Sequence, residues 1–277
     1  MTTVDINHLR TWIGRQERKS EVLTTGLAHR YLATLDLPAE AGEGDTAPQM
    51  IHWCLAQPTA PTESLGPDGH PHRGGFLPPV PLPRRMWAGG ALTITGDIRI
   101  GDVVERHSTI RDVVLKTGRS GELCFVTVDH LVTAGGRTVI AERQDIVYRA
   151  MTNASTATPV AAPAGAHRRQ IMPSAQLLFR YSAMTFNGHR IHYDRPYAQN
   201  EEGYPGLVVH GPLQATQLLL FASEIQGAKP KTFEFRSLYP LFDTVGYCLN
   251  ASERAGGLDL WTAGSDGPTA MEARATW

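Results

Sequence analysis

A chain of 277 residues with 42% hydrophobic and 19% charged residues is too apolar for disorder and long enough to bury a sizeable core, as one large domain or two modest ones. Its formal net charge of -1 excludes a global basic field, so nucleic acid is not expected as the main partner and any anion must be met by local arginines. Cys54, Cys124 and Cys248 are scattered and unpaired in spacing, which suits reduced core thiols better than disulfides or a zinc site.

In chain order, residues 1–12 carry Asp5, His8 and Arg10 where a secretory signal needs an apolar core, and a cytoplasmic location is expected. Apolar spacing at Val22, Leu27, Tyr31 and Leu35 predicts a helix over 19–35, and a short apolar run follows at 50–56. Strand-like runs at 91–100, 103–116, 122–134 and 137–149 are separated by glycine-containing turns that favour antiparallel hairpins. Residues 151–173, rich in Ala, Thr and Pro, read as a linker. Beyond it come a strand at 176–182, a polar loop and a helix from Gly211 to about Glu224. Strands at 232–238, 245–251, 258–263 and 269–276 finish the chain. The most apolar run, 207–222, is interrupted by His210, Gly211, Gln214 and Gln217, so no membrane span is expected. This order predicts an α+β protein of two halves, 1–150 and 174–277, each a sheet curled around a helix.

No helix or strand pattern explains the polar cluster of residues 181–197, which holds Asn187, His189, Arg190, His192, Tyr193 and Asp194. Histidine both holds and releases a proton near neutral pH, so His192 is the candidate acid-base residue. The alternative is that it caps a turn or packs under Tyr193. The Asn187 amide can fix a water molecule but cannot take its proton. Asp194 either orients the imidazole or caps the following turn.

A second cluster, residues 202–212, ends where the long helix begins, with Pro212 in its first turn. The free N–H groups of a helix N-terminus polarise a carbonyl or hold a developing enolate, and Gly211 lets such a group approach closely. Alternatively, Gly206 and Gly211 only make room at a strand-to-helix turn.

Residues 187–192 (Asn-Gly-His-Arg-Ile-His) and 206–213 (Gly-Leu-Val-Val-His-Gly-Pro-Leu) resemble the MaoC-like, R-specific enoyl-thioester hydratases. His52-Trp53, the 65–71 stretch Leu-Gly-Pro-Asp-Gly-His-Pro and the 74–90 stretch from Gly74 through Trp87 to Gly90 resemble the branch of type 2 hydroxyacyl-thioester dehydratases and of mesaconyl-C4-CoA and itaconyl-CoA hydratases. The resemblance runs from about Lys19 to the C-terminus. It implies a double hot-dog fold, antiparallel sheets each wrapped around a central helix, with substrate and coenzyme A bound by the first half and catalysis in the second. It further implies a hydratase or dehydratase acting on a short 2-enoyl or 3-hydroxyacyl thioester, in particular a branched dicarboxylic acyl-CoA. His192, Asn187 and Gly211 would be catalytic, and His210 and Tyr193 would contact substrate. Coenzyme A would enter as part of the substrate, with no separate cofactor. Where the wider family has an aspartate, five residues before the histidine, this chain has Asn187, which concentrates the acid-base role on His192.

Arg84, Arg85 and Trp87 are candidates for gripping phosphates and stacking an adenine, and Arg190 or Arg236 for pairing with an acyl carboxylate. His70 with His72, or His189 with His192, has no supporting ligand set at metal spacing, so no metal is expected. Open alternatives are a 3-hydroxyacyl-ACP dehydratase, a thioesterase, which wants a carboxylate where Asn187 stands, and a non-catalytic acyl-CoA-binding protein. A homo-oligomer is expected from exposed sheet edges.

Overall fold

In the computed structural model, which describes residues 4–38, 40–118, 121–150 and 160–277, a short helix α1 (Ile6–Arg10) capped by Asp5 precedes β1 (Gln16–Val22) and α2 (Thr25–Thr34). The predicted 19–35 helix is thus split. Residues 16–22 pair as an edge strand along 103–109, leaving Val22 exposed, and the helix starts only after Thr24, whose hydroxyl accepts the Leu27 N–H at 3.2 Å. The 50–56 run becomes a 3-10 turn, Ile51–Cys54. Strands β2 (Arg84–Ile94), β3 (Val103–Gly118), β4 (Gly121–Ala134) and β5 (Arg137–Arg149) follow, the first lying several residues upstream of its prediction.

The second half begins inside the stretch read as linker. Its residues 151–159 lie outside the described residues, whereas His167–Ile171 is strand β6, paired with β8 (Tyr247–Arg254). The strand predicted at 176–182 is instead helix α3 (Ala175–Met184). Ser174 caps it by accepting the Leu177 N–H at 3.1 Å, and the buried residues Leu178, Tyr181 and Ser182 fall at helical spacing while Phe179 points to solvent. A 3-10 turn (Arg190–His192), α4 (Arg195–Asn200) and α5 (Gly211–Gln226) lead into β7 (Thr232–Ser237), β8, β9 (Gly257–Gly264) and β10 (Thr269–Thr276).

The ten strands of the described residues form one antiparallel sheet in the order β1-β3-β4-β5-β2-β7-β10-β9-β8-β6. Read inward from its edges, β1, β3, β4, β5, β2 of the first half are matched by β6, β8, β9, β10, β7 of the second, which is the duplication expected of a double hot-dog. The halves join where β2 pairs β7. There a Cβ on Gly89 would lie 2.5 Å from the Phe235 carbonyl oxygen and one on Gly90 2.8 Å from the Phe235 ring, so only glycine fits both positions.

The helices break the symmetry. α5 is buried on nearly every side and packs on β7 to β10, with Gln214 and Thr216 paired to Thr262 and Tyr181. At the corresponding place in chain order the first half has, among the described residues, two short 3-10 turns, Ile51–Cys54 and Thr62–Ser64, and no long helix. A cavity of about 600 Å³ lies along its sheet, lined by Ser108, His130 and Glu142 as well as by His192 and Gly211. No helix among the described residues is long and apolar enough to cross a membrane.

Candidate active site

His192 sits at the end of the Arg190–His192 turn, buried and lining the cavity. Its Nδ1 lies 2.8 Å from the Val208 carbonyl oxygen, which can only accept, so the proton is on Nδ1 and Nε2 keeps its lone pair. Burial pushes the imidazole down to about 4 despite the Val208 hydrogen bond, and it is neutral at pH 7. Its ring stacks on His210 with centres 3.7 Å apart. His210 is itself buried beneath the site, with Nε2 2.8 Å from the Ser182 hydroxyl.

His210 is also the residue before the first turn of α5. The first bond within that helix runs from the Gln214 N–H to the His210 carbonyl at 3.1 Å, which leaves the Gly211 and Leu213 N–H groups as free donors, Pro212 having none. A Cβ on Gly211 would meet Ser237 and Trp87 only at ordinary contact, 3.5 and 3.7 Å, so packing does not demand glycine there. Gly206 is different. A Cβ would stand 2.7 Å from both Asp243 and Thr244, and glycine at 206 answers a packing need.

Asn187 lines the cavity with its Oδ1 accepting the His189 N–H at 3.1 Å, which fixes the amide so that its N–H2 remains available as a donor. Asp194 does not reach His192. It caps α4 through the Tyr197 N–H at 3.2 Å and holds Arg190 at 2.8 and 2.9 Å. Arg190 in turn donates to the Pro67 carbonyl at 3.0 Å and lies over the Tyr197 ring, so its guanidinium organises the loop and is not free for a ligand. Tyr193 is likewise outside the cavity, its hydroxyl donating to the Gly188 carbonyl at 2.8 Å.

The arginine candidates separate clearly. Both Arg84 and Arg85 line the cavity, but Arg84 is bound to Glu202 at 3.1 Å and lies over Tyr204, whereas Arg85 has no ion-pair partner among the described residues. Trp87 packs edge-on against Trp53 and Phe235 and forms an inner wall of the cavity. Arg236 is exposed on the opposite face, paired with Glu272 at 2.9 Å, and does not line the cavity.

Sequence reasoning passed over several polar residues of the first half. Asp68 and His70 enter the site from the 65–72 loop, and Asp68, His70 and His189 bring ligand-type atoms within 4.8 Å of one another. Deeper, buried Glu142 accepts the Trp53 indole N–H at 3.0 Å and lies 3.4 Å from His52. The His70-x-His72 spacing and the His52-Trp53 and 65–71 stretches that carry the resemblance were the visible signals, and they say nothing of which second-half residue His70 meets.

A model of the hydroxyacyl-thioester dehydratase type 2 family matches residues 49–243. The chain is 46% identical over 266 residues, 95% of each chain, to mesaconyl-C(4)-CoA hydratase of Chloroflexus aurantiacus. In solved structures it resembles a MaoC-like dehydratase from Phytophthora capsici (TM-score 0.71, 12% identity, 99% of each chain) and a Mycobacterium tuberculosis protein with a double hotdog fold (TM-score 0.60, 12% identity, 95% of each chain). With the family model spanning most of the chain and the motif residues gathered around one cavity, the protein belongs to the hydroxyacyl-thioester dehydratase type 2 family and is a hydro-lyase.

Proposed function

We propose that the protein reversibly hydrates a short, carboxylated 2-enoyl-CoA, with mesaconyl-C4-CoA, the thioester in the name of its Chloroflexus relative, as the first candidate. The observation that carries this reading is the unprotonated Nε2 of His192 at a cavity also lined by Gly211, whose N–H is a free donor at the start of α5. In the hydration direction Nε2 takes a proton from water as the water oxygen bonds to the β carbon. The π electrons move to the thioester oxygen, held as an enolate by the Gly211 N–H at the positive end of α5. The imidazolium then returns the same proton to the α carbon, restoring the thioester. Asn187 donates a hydrogen bond to the water oxygen.

Arg85, unpaired at the cavity wall, is the arginine suited to a carboxylate or phosphate of the substrate. Coenzyme A enters as part of the substrate, and the reading has the enzyme work in the cytoplasm as a homo-oligomer without a further cofactor. Incubation with mesaconyl-, itaconyl- and crotonyl-CoA, followed by enoyl absorbance and free thiol, tests it. Loss of absorbance without thiol release is expected. Thiol release would indicate a thioesterase, and binding without turnover a non-catalytic protein.

A further inference from the structure

Four imidazoles follow one another along the site: His70 and His189 have ring centres 4.1 Å apart, His189 and His192 5.4 Å, His192 and His210 3.7 Å. The first belongs to the other half of the chain. Its loop closes on itself through the Gly66 N–H and the His70 carbonyl at 2.7 Å, and it docks on the catalytic loop where Arg190 donates to the Asp68 carbonyl at 2.9 Å. Gly69 and Gly188 touch there. A Cβ on Gly69, whose φ is +86°, would lie 1.9 Å from the Gly188 carbonyl oxygen, so the position of His70 is imposed by backbone contact between the halves.

At the tip of the loop, Asp68 accepts the His70 backbone N–H at 3.0 Å and its ring Nδ1–H at 2.9 Å. A carboxylate at Nδ1 fixes the proton there and leaves Nε2 as an acceptor. That Nε2 has no hydrogen-bond partner among the described residues, and His70 lines the cavity. Asn187 has its carbonyl oxygen engaged by the His189 N–H, and His192 must use its one lone pair to move the proton.

We propose that Asp68 and His70 form the water-holding pair of the catalytic centre, with His70 Nε2 accepting a hydrogen bond from the water O–H that is not transferred and Asp68 keeping His70 in the tautomer that allows it. The proposal rests on the hydratase reading above. One water proton passes to His192 and on to the α carbon; the other stays on the oxygen that bonds to the β carbon, pointing at His70. His70 neither gains nor loses a proton over the cycle. In dehydration the same nitrogen holds the hydroxyl that leaves as water. With Asn187 donating, His70 accepting and His192 taking the proton, the water is held at three points.

The test is a double-mutant cycle on the intact chain, with whichever enoyl-CoA the wild type turns over. Asp68→Asn keeps the oxygen that accepts the His70 backbone N–H but turns an amide N–H2 toward Nδ1, driving the ring proton to Nε2. We expect kcat to fall about 100-fold, with KM and melting temperature unchanged. His70→Gln, which retains a carbonyl acceptor, should keep roughly tenfold more activity than His70→Ala, and Asp68→Asn should cost nothing further in the His70→Gln background. The proposal is overturned if Asp68→Asn lowers kcat equally in both backgrounds, or moves KM or the melting temperature while leaving kcat intact, because the pair then only holds the loop. It is also overturned if a chelator abolishes wild-type turnover and zinc restores it, which would make Asp68, His70 and His189 a metal site. A wild type inactive on every enoyl-CoA sinks the hydratase reading itself; an active wild type with an unimpaired Asp68→Asn sinks this inference alone.

Discussion

The Nδ1 of His192 lies 2.8 Å from the carbonyl oxygen of Val208, three residues before the first turn of α5. One hydrogen bond therefore sets both the tautomer of the base and its distance from the helix end that receives the developing charge. His192→Ala should lower kcat at least 1,000-fold, within the range for loss of a general acid-base group, with circular dichroism unchanged. Hydration retained in that variant would remove His192 from the mechanism.

Burial holds His192, His210, His189, His130 and His70 below the ordinary histidine range, His192 at about 4. The unfolded chain takes up protons below about pH 6.5 that the native state refuses, so stability is fully present above that pH and is lost as pH falls toward 4. Urea midpoints should decline steadily across this window, while kcat/KM at pH 6 stays close to its value at pH 7.5. A drop in kcat/KM centred near pH 6.5 would show that the base is not His192 in this environment.

Gly206 and Gly211 should behave oppositely. Gly206→Ala forces a methyl to 2.7 Å from Asp243 and Thr244 and should cost about 1–3 kcal/mol in urea unfolding. Gly211→Ala fits its protein neighbours but crowds the thioester oxygen, so stability should hold while kcat falls at least tenfold. Equal activity in Gly211→Ala and wild type would place the enolate elsewhere.

Among the arginines, Arg85→Ala should raise KM for the CoA thioester roughly tenfold, the loss of one charge-assisted hydrogen bond, with a smaller effect on kcat. Arg236→Ala should leave both constants unchanged, because its side chain is exposed and paired with Glu272 away from the cavity. Steady-state kinetics of the two variants decide between them.

The hairpin strands, α5 and the Asn187 to His192 loop could be read in advance because each is written in local chemistry: glycine turns between alternating runs, Pro212 at a helix start, an unpatterned polar cluster. The 176–182 segment was misread because Leu-Leu-Phe with Tyr181 suits a strand or a helix equally in isolation. The Ser174 cap and the burial of Leu178, Tyr181 and Ser182 resolve it. The arginines could not be sorted by any sequence pattern.

By itself, then, the sequence determined the α+β class, the order of most strands and the histidine on which turnover is proposed to depend, since periodicity and turn preference act over a few residues. Only the tertiary structure decided that Arg84 belongs to Glu202, 118 residues away, that Arg190 holds Pro67, 123 residues away, and that His70 packs against His189. Those partners meet because the sheet closes through β2 and β7 and brings the two halves' loops to one cavity, a distance relation that local propensity does not encode.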